Sequence, residues 1–267
     1  MPRVTRPTGY DWTRTIGRGR HAKGDMPYRV RRDEDDRTDM AMQLNNRYDR
    51  NMPALSPEEC ATLMEKRVCI IGCGGLGGFI IELLARAGVG ALNVIDNDVF
   101  EATNLNRQLL SEEENLGSSK AEAAALRIAS INSDVKVKAV HGSFTAENAA
   151  EILKGCDLAI DALDNVDSRL VLEKTCTEAG IHLVHGAISG FSAQVSVVAP
   201  GSGTLSNLYP KNPDKHPSRG NLGFVAAACA SIQVSEAIKL LCGRPSALLG
   251  KLLIIDFRTM EFTKIDM

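Results

Sequence analysis

The chain has 267 residues, 44% of them hydrophobic and 24% charged, with a formal net charge of −2 and an isoelectric point near 6.2. That size supports one large core, so a single α/β domain is expected and no second domain is required. The near-neutral balance excludes bulk electrostatic attraction to nucleic acid or to an acidic membrane surface, so neither is expected as a partner.

Charge is nonetheless uneven along the chain. Arg3, Arg6, Arg14, Arg18, Arg20, Lys23, Arg29, Arg31 and Arg32 face only Asp11 and Asp25 over residues 1–32, and the acidic block Asp33-Glu-Asp-Asp36 follows. Residues 1–45 therefore read as a disordered, solvated tail. No run of about 18 consecutive apolar residues is present, and the N-terminus lacks the apolar core of a secretory signal. The cysteines at 60, 69, 73, 156, 176, 229 and 242 sit mostly in apolar contexts, and none forms C-x-x-C. Buried thiols in a reducing, cytoplasmic compartment are expected, without a structural zinc site.

From residue 67 onward, short apolar strands alternate with helical patterns, the signature of a Rossmann-like, mostly parallel sheet flanked by helices. Strands are expected at 67–71, 91–95, 135–140, 157–161 and 181–185. Helices are expected at Leu76–Ala87, Lys120–Ile131, Ala146–Leu153 and Val166–Ala179, where apolar residues recur at helical spacing. After residue 186 the pattern changes. Alternation over Ser192–Ala199, with strand-like 251–256 and 260–265, predicts an antiparallel C-terminal extension of the sheet. Residues 201–222 form a loop rich in Gly, Pro, Ser and Asn, and a helix of small residues, Phe224–Leu241, follows it.

The first strand runs into Gly72-Cys-Gly-Gly-Leu-Gly77, in which Gly72, Gly74 and Gly77 fit G-x-G-x-x-G. That spacing allows a tight strand-to-helix turn, close backbone approach to phosphate and close packing of helix on strand. Asp96, at the end of the second strand, is placed to accept hydrogen bonds from a ribose. Taken alone, the loop fits a nicotinamide-dependent oxidoreductase equally well, or a turn that binds nothing. The residues beyond it shift the balance. Arg107 and Lys120, together with Asp164 at a strand end, suit a triphosphate and its magnesium, and a dehydrogenase leaves them without a task. Each also has a local reading: Arg107 as a surface partner of a carboxylate, Lys120 as a first-turn residue, Asp164 with Asn165 as a helix cap.

Five blocks, in order, carry a resemblance: the glycine loop with Asp96, Asn104-Leu-Asn-Arg-Gln108, Gly117-x-x-Lys120, Asp161-x-x-Asp-Asn165 and, upstream, Asn46-Arg-Tyr-Asp-Arg50. Over residues 46–267 the chain resembles the ThiF/MoeB/HesA family of ubiquitin-activating-enzyme-like adenylyltransferases. The resemblance implies ATP-dependent activation of the C-terminal Gly-Gly of a ubiquitin-like sulfur carrier protein, of the thiamine or molybdopterin/tungstopterin type, as an acyl-adenylate with release of pyrophosphate. It implies that Gly74 and Gly75 contact phosphate or ribose, that Asp96 holds ribose hydroxyls, and that Asn104 and Arg107 reach the phosphates. Lys120 would neutralise the triphosphate, Asp164 would hold magnesium, and Asn165 belongs to the same nucleotide-binding set. Arg50 would reach into the partner's site of a homodimer.

Two departures narrow the expectation. The zinc-binding cysteine pairs of many relatives are missing, since residues 205–209 read Leu-Ser-Asn-Leu-Tyr and the C-terminal end carries no cysteine. Residues 201–222 hold no cysteine for a thioester or persulfide step, which favours adenylation alone and a separate sulfur donor. Cys229, among small residues, reads as packing, and His185 and His216 receive no catalytic role. The competing readings are a branch of the same family acting on a small molecule, peptide or tRNA, and the oxidoreductase.

Overall fold

The computed structural model describes residues 46–209 and 219–267; the expected tail over residues 1–45, and His216 within 210–218, lie outside the described residues. A 3-10 turn over Asn46–Asn51 leads to helix α1 (Pro57–Glu65), strand β1 (Arg67–Ile71), α2 (Gly75–Ala87) and β2 (Ala91–Asp96). Then come α3 (Lys120–Ile131), β3 (Lys136–His141), α4 (Ala149–Leu153), β4 (Leu158–Asp161), α5 (Val166–Ala179), β5 (His182–Ser189) and β6 (Ser192–Val198). The chain closes with α6 (Thr204–Leu208), α7 (Gly223–Leu241), β7 (Lys251–Asp256) and β8 (Glu261–Asp266).

The strands form one eight-stranded sheet in the order β3-β2-β1-β4-β5-β6-β7-β8. Pairing is parallel from β3 to β5 and antiparallel from β5 to β8, as the change of sequence pattern after residue 186 predicts. Central strands are buried on both sides, which is why they read as continuous apolar runs. In β1, Val68 and Ile70 join the core beneath α2, α3 and α7, whereas Cys69 and Ile71 join the opposite core beneath α4 and α5.

Differences from the sequence expectations have local causes. β5 runs on to Ser189 because β6 folds back along it, pairing Leu183 with Val198 and Ser189 with Ser192. The expected helix from Ala146 shortens to Ala149–Leu153: Thr145 N–H donates to Asn148 Oδ1 at 2.9 Å, a side-chain-stabilised turn that takes the place of the first helical turn. The five-residue α6 inside the loop gives too short a pattern to detect. By length and hydropathy, α7 is long and apolar enough to cross a membrane, but half of it is buried within the fold, against α2, β5 and β6.

This topology places the site. From β1 the chain moves outward to β2 and β3 on one side, then returns to β4 and β5 on the other. Between the carboxyl ends of β1 and β4 a crevice opens, the place where ligands bind in open α/β sheets.

Candidate functional site

A cavity of about 580 Å³ fills that crevice, a size ordinary for a small-molecule ligand. Its wall includes Gly72, Gly74, Gly75, Asp96, Asn104, Arg107, Lys120, Asp164 and Asn165, so nine of the eleven residues expected from sequence meet in one place.

The glycines divide by cause. Gly72 has φ +101, and a Cβ there would lie 2.5 Å from the Ala162 carbonyl oxygen; one on Gly77 would lie 1.9 Å from the Gly72 carbonyl oxygen. Both positions are closed by the protein's own backbone, so Gly77 supports the loop from beneath without lining the cavity. Gly75 differs. It opens α2, and the nearest atoms to a Cβ there are 3.9 Å away, ordinary contact with Ala226 and Arg107. Nothing inside the fold forbids a side chain at Gly75, and the space it leaves is the cavity.

Helix α2 starts on Gly74 with no side-chain cap, and Gly74, Gly75 and Leu76 line the cavity. An uncapped helix start offers free N–H groups and the positive end of the helix dipole, which together favour phosphate. Asp96 steadies this loop: one carboxylate oxygen accepts from Cys73 N–H at 2.7 Å and the other from Asp98 N–H at 2.8 Å. Each oxygen keeps a second acceptor position for a ribose hydroxyl.

Arg107 donates to the Thr103 carbonyl at 2.8 Å and to Asn106 Oδ1 at 3.0 Å, both neutral, and no carboxylate among the described residues forms an ion pair with it. Lys120 is buried and paired with exposed Asp98, Nζ to Oδ2 at 2.8 Å. Asn104 lines the cavity and also has a structural task. Its amide oxygen accepts from Glu101 N–H at 3.1 Å, and its carbonyl accepts from the N–H groups of Arg107 and Gln108. It builds the turn that carries the arginine. Asn165 Oδ1 accepts from Ser168 N–H at 2.8 Å and caps α5, as its local reading has it, and this leaves the neighbouring Asp164 exposed at the rim.

Arg50 is not brought to this cavity. Its turn is anchored by Tyr48, whose buried ring packs on Gly88 and whose hydroxyl accepts from Asn132 Nδ2 at 2.9 Å. Gly88 caps the far end of α2, so the turn lies about 20 Å along that helix from the glycine loop.

Sequence reasoning missed the buried network behind the cavity wall, which Arg169 joins to the cavity. Asp161, Arg169 and His185 form a buried group in which Asp161 Oδ2 lies 2.6 Å from His185 Nδ1 and 3.2 Å from Arg169 Nε. The Tyr209 hydroxyl lies 3.1 Å from His185 Nε2, Gln194 Nε2 donates to it at 2.6 Å, and burial pushes its phenol up. Gln108, quoted in the motif without a role, rests its amide beside Gly74, and its buried Oε1 has no partner among the described residues. Cys229 is buried; desolvation pushes its thiol up to about 12, so it packs, as its small neighbours predict.

The arrangement fits ATP. Cationic side chains and helix N–H groups line the same cavity, a ribose acceptor stands at Asp96, and an exposed carboxylate with no ion pair among the described residues stands at Asp164. No cluster of three or more potential metal-binding side chains occurs among the described residues. Magnesium carried by phosphates needs only one or two carboxylates, its other positions being phosphate oxygens and water.

Comparison with known proteins agrees with this geometry. The model of the ThiF family matches residues 48–267. The chain belongs to the ThiF family. It is 38% identical over 232 residues to the SAMP-activating enzyme E1 of Haloferax volcanii, covering 84% of this chain and 86% of that one. It is 36% identical over 233 residues to the sulfur carrier protein adenylyltransferase of Thermus thermophilus, covering 82% and 86%. Among solved structures, E. coli MccB superposes with a TM-score of 0.75 at 21% identity, over 84% of this chain and 70% of that one, a likeness of fold.

Proposed function

We propose that this ThiF-family chain is an ATP-dependent adenylyltransferase that activates the C-terminal glycine of a ubiquitin-like sulfur carrier protein. The observation that carries the reading is the convergence of the uncapped start of α2, Arg107, Lys120 and Asp164 on one cavity. Its two similar relatives, named for activating SAMP and for adenylylating a sulfur carrier, support the carrier as substrate.

In this reaction the carrier's terminal carboxylate attacks the α-phosphate and pyrophosphate leaves. The chain's part is positioning and charge neutralisation, and no side-chain nucleophile is needed. Backbone N–H groups of α2 and the Arg107 guanidinium hold phosphate oxygens, while Asp96 fixes the ribose. Lys120 exchanges Asp98 for phosphate when ATP enters. Magnesium, held at Asp164, would supply further neutralisation of the triphosphate.

Arg50 completes the site from a second copy in a homodimer. Its distance from the cavity of its own chain is what such an exchange requires. The enzyme works in the cytoplasm, a reading supported by its many buried thiols, and a separate protein supplies sulfur.

ATP–pyrophosphate exchange with purified protein, presenting ubiquitin-fold carriers ending in Gly-Gly one at a time, tests the reading. Exchange dependent on one carrier is expected, and ATP binding without exchange for any carrier would sink it. For Arg50, mixing Arg50→Ala with Asp164→Ala chains should restore activity, because one intact site forms per mixed pair. No rescue would count against the shared site.

A further inference from the structure

Asp164 is left almost without support of its own. Its carboxylate is exposed, and its contact with Asn165 Nδ2 is long, at 3.4 Å. What the fold holds firmly is the residue before it. The Leu163 N–H donates to Asp161 Oδ1 at 2.8 Å, and the Leu163 carbonyl accepts from Arg169 Nη2 at 2.6 Å. Both backbone groups of Leu163 are thereby clamped by the two partners of one buried ion pair. Asn165 is fixed on the other side of Asp164 by capping α5, the helix that carries Arg169 one turn further on.

Arg169 suits this task in a way other cations do not. Its Nε meets Asp161 at 3.2 Å, its Nη2 meets Leu163, its Nη1 points to the Tyr209 hydroxyl at 3.4 Å, and its guanidinium lies 5.3 Å from the Tyr209 ring centre. A planar fork satisfies three fixed directions at once, whereas a lysine ammonium is a single point charge on a flexible stem. Burying such a pair brings little stability over a well-packed apolar replacement. Its location is therefore the informative fact: this pair ends on the cavity wall, at the backbone of the residue that precedes Asp164.

We propose that Arg169 is a positioning residue: by clamping the Leu163 carbonyl it sets the Asp164 carboxylate at the rim, where a triphosphate-bound magnesium meets it. The inference rests on the ATP reading above and goes beyond it by assigning a role to the buried network.

The test is ATP binding to the full chain by titration calorimetry, with magnesium and with excess EDTA. Wild-type protein should bind ATP more tightly with magnesium. Arg169→Lys should lose at least tenfold of that gain while its affinity in EDTA stays within about twofold of wild type. Asp164→Ala should lose the same gain, and the double variant should lose no more than Asp164→Ala alone. An Arg169→Lys protein that keeps the whole magnesium gain overturns the inference. So does a loss equal in EDTA and magnesium, which a merely structural role would produce. Should Arg169→Lys fail to fold, Arg169→Gln, uncharged and too short to span Asp161 and the Leu163 carbonyl together, is the second variant; a selective loss of the magnesium gain supports the clamp, and an unchanged gain overturns it. Wild-type protein that binds no ATP overturns the nucleotide reading itself, a result distinct from the others.

Discussion

The two sides of the cavity are built from opposite materials. On the β1–α2 side, backbone forms the surface, and side chains are kept out by glycine. On the β4–β5 side, a buried network of Asp161, Arg169 and His185 stands behind the wall, and its carboxylate and guanidinium hold the backbone of Leu163. A turn closed by its own backbone, as at Gly72 and Gly77, tolerates almost no added atom, whereas a wall backed by buried charge tolerates almost no lost partner. Substitutions should separate the two by the kind of failure they cause.

The largest effect is expected on the charged side. Asp161→Ala leaves Arg169 and His185 buried without their acceptor, and breaking such a pair costs about 3–5 kcal/mol. Chemical denaturation should show the loss directly, with unfolding at lower urea. Retention of wild-type stability would mean that the network is wetter than its burial indicates.

Next comes Gly77→Ala, where the new methyl meets the Gly72 carbonyl at 1.9 Å. Backbone cannot move aside as a flexible side chain would, so about 1–3 kcal/mol of stability should be lost, together with the loop geometry. Thermal melting and ATP titration should both fall. Gly75→Ala, two residues earlier, should part the two readouts. The fold has 3.9 Å of clearance there, so stability should stay the same or rise by about 0.4–1 kcal/mol while ATP affinity falls at least tenfold. A Gly75→Ala protein with normal affinity would show that phosphate does not lie against this turn.

This contrast also explains which half was legible in the sequence. The glycine loop announces itself because its steric demands fall on adjacent residues, and Asp96, Arg107 and Lys120 follow in the order their motifs predict. The parallel order of the central strands and the antiparallel extension were readable for a similar reason: apolar run length and alternation report burial locally. By contrast, the network behind the cavity wall draws on Asp161, Arg169, His185, Gln194 and Tyr209, residues from three strands, a helix and a loop. Each has an unremarkable local reading, and His185 at the end of an apolar run gives no hint of the acid beside it. Asn104 shows how a motif can hide a second role, because a side chain that shapes a turn and one that touches a ligand look alike in sequence.

The smallest effect concerns the thiol behind the charged side. Cys229 Sγ lies 3.6 Å from the Gln194 carbonyl oxygen and 3.9 Å from that of Ala187, completely buried on α7. Desolvation chiefly, and the nearby Asp161 carboxylate, disfavour its thiolate and push it up to about 12. At pH 8 the reactive form is therefore about one part in ten thousand, and it is shielded from reagent as well. Iodoacetamide should leave Cys229 of the folded chain unmodified over the pH 7–9 range, as read by peptide mass, while denatured chain is labelled fully. Labelling at pH 8 in folded protein would show that the region around Cys229 opens to solvent. It would also reopen the question of a covalent role for Cys229, which its burial assigns to packing.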